Sequence, residues 1–188
     1  MGRWEPNASG RLSQAAMELY VERGFEQTTV AEIAERAGLT ARTFFRYFAD
    51  KREVLFAGSA VLQEQLVSAL DGVPASASPM EAVAAALDAA ATVLGGRRDF
   101  SRQRQAVIAA NAELRERELI KMATLSLALA DGLRQRGVAD PDASLAAEAG
   151  IAVFRVAFER WVSEPDDREL SQVMRESLAQ LRALTAAG

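Results

Sequence analysis

Arg42 and Arg46 stand four residues apart, among Thr40, Ala41, Thr43, Phe45, Tyr47 and Lys51. On a helix that spacing puts the two guanidinium groups on neighbouring turns of one face. A guanidinium can donate paired hydrogen bonds to guanine O6 and N7, and a threonine can reach a base edge or a thymine methyl. Tyr47 and Lys51 extend toward flanking phosphates. Helix starts at Thr29, Thr40 and Lys51 would offer backbone N–H groups to the same anions. This is the chemistry of recognition rather than of bond making. The 188-residue chain contains no His and no Cys, which excludes Ser-His-Asp and Cys-His catalysis and thiolate zinc sites. Carboxylates remain, but they fall mostly on helix starts and polar faces, and Asp166-Asp167 reads as a turn and helix cap. No metal and no cofactor is expected.

The elements that must hold this cluster are helices. The chain has 38 Ala and 5 Pro, a composition that favours helix, and no stretch alternates with period two for long enough to make a strand. Leu12, Ala15, Ala16, Leu19 and Tyr20 recur at helical spacing up to Gly24. Thr29-Val30-Ala31-Glu32 has the form of a capping box for a second helix, with Val30, Ile33, Ala34 and Ala37 inward and Gly38 as its stop. Thr40 caps a third helix, Ala41 to Phe48, anchored by Phe44 and Phe48. Two helices joined by a tight glycine turn make a helix-turn-helix, whose second helix enters the major groove of double-stranded DNA. Asp50 then caps a fourth helix that begins near Lys51 and carries Val54, Leu55, Val61, Leu62 and Leu66 inward.

Past a turn-rich break at 72–78, Ser78-Pro79-Met80-Glu81 combines an N-cap, Pro at N1 and Glu at N3, and predicts a helix to Leu94. Further helices run from Asp99 or Phe100 to Arg136 with an interruption near Asn111, from Asp140 to Ser163, and from about Arg168 to Thr185. The expected fold is all-α with about nine helices. A helix-turn-helix DNA-binding domain occupies 1–52, and a larger helical ligand-binding and dimerisation domain occupies 53–188.

Helix 141–163 is apolar on nearly every side and must be covered on every side. Gly150, Ile151, Val153 and Trp161, with Leu170, Met174, Leu178 and Leu181 of the last helix, are expected to form an isologous four-helix interface in a homodimer. Any pocket for a small-molecule effector is expected among the helices of 79–163, lined by Phe100, Val107, Met122, Leu125, Phe154 and Phe158. Their character favours an apolar or acyl ligand. Two recognition helices related by a two-fold axis require a pseudo-palindromic operator.

The formal net charge of −4 hides an asymmetry. Residues 1–52 hold eight basic and seven acidic side chains, whereas 53–188 hold 14 and 19. Within 38–52, Arg42, Arg46, Lys51 and Arg52 face Asp50 alone, a positive patch centred on the third helix. Arg3 offers a minor-groove arm, and Trp4 would pack on the first helix. No apolar run reaches the roughly 20 residues of a membrane span. Met1–Pro6 lacks the apolar stretch of a secretory signal. A cytoplasmic protein with no membrane partner is expected.

Thr28-Thr29-Val30-Ala31-Glu32-Ile33-Ala34, Ala37-Gly38-Leu39-Thr40, Thr43-Phe44-Phe45-Arg46-Tyr47-Phe48 and Lys51 together resemble the signature of TetR-family transcriptional regulators over about residues 10–56. The resemblance implies a homodimeric repressor with a ligand-binding C-terminal domain. It matches the family's base and phosphate contacts to Arg42, Thr43, Arg46, Tyr47 and Lys51. Where the family usually has a tyrosine whose hydroxyl touches phosphate, this chain has Phe45. Gly2-Arg3-Trp4-Glu5-Pro6 and Thr43-Phe44-Phe45 are also similar to regulators of mycofactocin-type gene clusters, which implies an acyl-CoA-like effector. Two other classes compete with this reading: a helical enzyme that uses carboxylates, and a helical interaction module that does not bind DNA.

Overall fold

A computed structural model describes residues 7–165 and 167–186. Among them the backbone forms nine α-helices and two short 3-10 turns, with no strand. Arg3, Trp4 and Asp166, read above as an arm, a packing residue and part of a cap, lie outside the described residues. No helix among the described residues is long and apolar enough to cross a membrane.

The chain divides into two compact units, the first comprising the residues up to Gly58 together with Gln103–Glu116. Here α1 (Ala8–Arg23) packs on α2 (Val30–Arg36) and α3 (Ala41–Tyr47), burying Leu12, Ala16, Leu19, Ile33 and Phe44. α2 starts on the expected capping box: Glu32 N–H donates to Thr29 Oγ1 at 3.3 Å, and Thr29 N–H donates to Glu32 Oε2 at 2.9 Å. Its end is a Schellman motif, in which Leu39 N–H donates to Ala34 O at 2.8 Å and Gly38 N–H to Glu35 O at 2.9 Å. Gly38 sits at φ 66°, where a side chain would be strained. The turn delivers Thr40, whose hydroxyl oxygen accepts from Thr43 N–H at 3.2 Å and opens α3.

Two expectations are corrected in this unit. Asp50 does not cap a long fourth helix. Its Oδ1 accepts from the amides of Arg52 (2.8 Å) and Glu53 (3.2 Å) and starts a 3-10 turn, Glu53–Phe56, while α4 begins only at Ser59 and runs to Asp71. Val54, Leu55 and Phe56 are all buried. Three consecutive residues cannot share one face of an α-helix, whereas a tight turn can bury them together. Val61, expected inward, is exposed.

The second correction concerns the boundary at 52. The first unit reaches Gly58, and it also takes in the end of α6 (Arg98–Ala110) and the start of α7 (Ala112–Gln135). Arg104 Nε donates to Leu55 O at 2.7 Å, and its guanidinium lies 5.0 Å from the Phe56 ring centroid. Arg52 approaches Glu113 at 3.7 Å, and Val107, Ile108 and Leu114 are buried. The buried turn at 53–56 therefore attaches a segment some fifty residues later in the chain.

The second unit holds α4, most of α7, α5 (Pro79–Leu94), α8 (Asp140–Ser163) and α9 (Leu170–Ala186). α5 begins on a second capping box, with Ser78 accepting from Glu81 N–H and Pro79 at N1. It packs against α4, α8 and α9. Ala82, Ala86 and Ala90 line its buried side, and Gly150 of α8 lies where a Cβ would come within 2.7 Å of Val83 Cγ1. Small residues thus set how closely the helices approach.

This packing revises the dimer expectation. Gly150, Ile151, Val153, Trp161, Leu170, Met174 and Leu178 are all buried within the chain's own core, and Leu181 is half-buried against it. α5 and α9 cover the faces of α8 that looked available. What remains outside is a narrower stripe of Leu145 (70% exposed), Ala152 and Val156 (52%), with half-buried Ala149 between them.

Candidate nucleic-acid interface

The outward face of α3 is built on an inward anchor. Phe44 is fully buried, its ring 5.4 Å from Phe48 and edge-on to Phe45 at 5.5 Å. Helical periodicity then turns Ala41, Arg42, Phe45 and Arg46 to the outside, with Tyr47 exposed and Thr43 half-buried. Thr40, Arg42, Thr43, Phe45 and Arg46 line one open concavity. Arg46 Nη2 donates to Tyr47 Oη at 3.3 Å, and its guanidinium lies 5.0 Å from the Tyr47 ring centroid, a cation–π arrangement.

The electrostatics single out two of these groups. Arg36 is paired with Glu22 at 2.9 Å and Glu18 at 3.3 Å, Arg23 with Glu32 at 2.8 Å, and Arg52 with Asp50 at 2.6 Å. Among the described residues no carboxylate oxygen lies within 4.0 Å of Arg42 or Arg46. Theirs is the charge on α3 itself that no carboxylate among the described residues offsets. Phe45, 58% exposed, brings an apolar ring to the same face and has no hydroxyl to offer a phosphate.

Other predicted contacts are placed differently. Thr29 is exposed, but its amide and hydroxyl both donate to Glu32. Those bonds hold the Glu32 carboxyl below the usual carboxylate range. No α-helix starts at Lys51, and its ammonium points inward to the carbonyls of Phe25, Glu26 and Thr28 rather than outward to solvent. Sequence reasoning missed Tyr20, whose buried hydroxyl donates to Lys51 O at 2.6 Å; burial pushes that hydroxyl's pKa well up. It also missed Arg11, which donates to Ala37 O at the helix-turn-helix turn. Both partners lie 26 or more residues away, so no local pattern marks them.

Asp50 holds the exit from this motif. The guanidinium of Arg52, then the amides of Glu53 and Arg52, keep its carboxyl below the ordinary range. A lowered folded-state pKa gives stability that is present above the unfolded value and lost as pH falls through the folded one. Asp50→Ala is expected to cost about 1 kcal/mol at pH 7, typical of a lost cap. The difference from wild type should begin to shrink as the pH falls below about 4, the unfolded Asp value, and vanish only below the lowered folded-state value. Urea midpoints measured across that range check it, and a difference independent of pH sinks it.

The predicted effector-pocket residues divide between the units. Leu125 and Phe154 belong to the second unit's core, and Met122 and Phe158 pack against it. Phe154 and Phe158 stack at 5.9 Å, and Trp161 continues the cluster at 5.8 Å. Phe100 stands outside that core with the Arg97 guanidinium 4.4 Å from its ring centroid. Val107 belongs to the first unit and is buried.

Comparison with known proteins divides the chain in sequence order, with 103–116 inside the C-terminal match. Residues 12–57 match the family described as bacterial regulatory proteins, tetR family, and residues 77–186 match the MftR C-terminal domain. The regulator TcmR of Streptomyces glaucescens is 40% identical over 89 residues, 47% of this chain and 38% of TcmR. A Mycobacterium tuberculosis protein named as the mycofactocin biosynthesis transcriptional regulator MftR is 32% identical over 114 residues, 61% of this chain and 58% of that one. The chain thus spans between about two fifths and three fifths of these relatives. Thermus thermophilus FadR, solved with lauroyl-CoA, matches with a TM-score of 0.57 and 26% identity over 93% of each chain. Bacillus subtilis FadR, solved with stearoyl-CoA, shares the fold with a TM-score of 0.61 and 22% identity over 92% of this chain and 96% of that one. The helix-turn-helix with its exposed arginines and the match of more than half the chain to one C-terminal domain type agree: this chain belongs to the TetR family of bacterial regulatory proteins.

Proposed function

We propose that this protein is a cytoplasmic, dimeric transcriptional repressor that binds a pseudo-palindromic operator and releases it when an acyl-type effector binds its C-terminal unit. The observation that carries the reading is the exposed face of α3, where Arg42 and Arg46 lack carboxylate partners among the described residues. In such a site Arg42, Thr43, Arg46 and Phe45 face base edges, while Tyr47 and the backbone near Thr40 face phosphates. Three of the acids have structural roles: Glu32 and Glu81 in capping boxes and Asp50 with Arg52. The acyl class rests on the FadR likeness and on the apolar core of the second unit.

The stripe of Leu145, Ala149, Ala152 and Val156 is the proposed dimer face. Its spacing of four, three and four residues keeps it on one side of α8. Burying a large aliphatic side chain stabilises by about 1.5–3 kcal/mol. Leu145→Glu with Val156→Glu should therefore raise the dimer dissociation constant at least about a hundredfold. Sedimentation velocity at micromolar concentration reads this, and a double variant that stays dimeric refutes the face. For the function itself, wild-type protein is used to select duplexes from a random pool, and lauroyl-CoA is then titrated into the complex. An inverted repeat that lauroyl-CoA displaces supports the proposal. Recovery of no preferred sequence overturns it.

A further inference from the structure

Lys51 has the wrong surroundings for a phosphate contact. Its Nζ donates to Phe25 O at 2.8 Å, Thr28 O at 2.9 Å and Glu26 O at 3.2 Å. An ammonium has three donors, and all three are taken. The same nitrogen lies 4.4 Å from the Phe25 ring centroid. At the other end of the residue, the Lys51 carbonyl accepts from Tyr20 Oη at 2.6 Å, and Tyr20 stacks edge-on to Phe25 at 5.2 Å. One residue therefore ties together α1, the loop 24–29 and the chain leaving α3.

We propose that Lys51 is a positioning residue whose ammonium, bound to three loop carbonyls, sets where α2 begins and hence how α3 is presented to DNA. The loop leaves α1 at Gly24 with φ 87° and ends on Thr29, the N-cap of α2. Between them three carbonyls converge on the ammonium; Phe25 O also accepts from Thr28 N–H at 3.3 Å, and Lys51 adds a donor to all three. A compact tetrahedral ammonium can meet three converging acceptors, whereas a planar guanidinium spreads its donors along a fork. α2 in turn carries the turn that delivers Thr40 and α3. The inference rests on α3 being the DNA-reading helix, and it reverses the expected role of Lys51 within it.

The test compares wild-type protein with Lys51→Arg and Lys51→Met, as full chains and well below their melting temperatures. Each is titrated with the selected operator and with an unrelated duplex over a salt series. Both variants should lose about tenfold or more in operator affinity, the scale of losing a base contact. Binding to the unrelated duplex and the dependence of affinity on salt should be unchanged, because no phosphate contact is removed. A phosphate contact behaves differently. Arg would keep the affinity, and Met would weaken both duplexes together and lower the salt slope by about one per contact. Lys51→Arg at wild-type affinity, or a reduced slope in Lys51→Met, overturns the proposal. Amide hydrogen exchange at 25–29 gives a second readout that needs no DNA. It should speed up in both variants, and unchanged exchange also overturns the proposal. If wild-type protein selects no DNA, the repressor reading fails, and exchange still decides whether Lys51 holds the loop.

Discussion

Arg42→Ala combined with Arg46→Ala is expected to lower operator affinity about a thousandfold or more while leaving helicity and sedimentation unchanged. Both side chains are exposed, and neither is paired with a carboxylate among the described residues. Removing them disturbs nothing in the core of the first unit. A well-formed arginine–guanine pair is worth about 1–3 kcal/mol. A two-fold dimer presents four such groups, so even about 1 kcal/mol from each gives about 4 kcal/mol, close to a thousandfold. Arg36→Ala is the control, because that guanidinium is already matched to Glu18 and Glu22. Its loss should change affinity severalfold at most. Fluorescence anisotropy at fixed salt measures all three. Equal effects from the paired and unpaired arginines would show that bulk charge, not the face of α3, drives binding.

Phe44→Ala is expected to destabilise the first unit by about 3–5 kcal/mol, the usual cost of emptying a buried aromatic site. Phe44 is fully buried and holds both Phe48 and Phe45 by ring contacts. α3 has only seven residues, too short to persist in water without tertiary packing. Loss of its anchor should therefore cost DNA binding as well as stability. Phe45→Ala, by contrast, removes an exposed ring from the same helix. It should leave stability within about 0.5 kcal/mol of wild type. Chemical denaturation followed by circular dichroism separates the two. Similar midpoints for Phe44→Ala and wild type would mean that the anchor is misassigned.

The legible parts of this fold were those specified within a few residues. Thr29 with Glu32 and Ser78 with Glu81 close their capping boxes as their spacing requires, and the helix from Pro79 to Leu94 has the predicted ends. Gly38 ends α2, the break near Asn111 falls between α6 and α7, and α8 runs from Asp140 to Ser163 as read. Arg42, Thr43, Phe45 and Arg46 come to one face because α3 is a helix and Phe44 faces in. Each of these follows from a hydrogen bond or a periodicity that spans five residues or fewer.

The readings that the structure changed depended on which surface some distant segment would cover. The apolar sides of α8 and α9 suggested a partner, yet the two helices pack on each other and on α5, and Ile151, Leu170 and Met174 are buried within one chain. The chain after residue 52 was expected to form a single body, but Arg104 reaches back to Leu55 and carries 103–116 into the first unit. Lys51 looked like a cation for phosphate until loop carbonyls 23–26 residues away took all its donors. The amino-acid sequence by itself determined the helices, their caps, the helix-turn-helix and the side chains on the face of α3, because local sterics and hydrogen bonding decide them. Only the tertiary structure decided which apolar faces stay exposed, where one unit ends and which charges remain free, because those depend on the segments that long-range packing brings together.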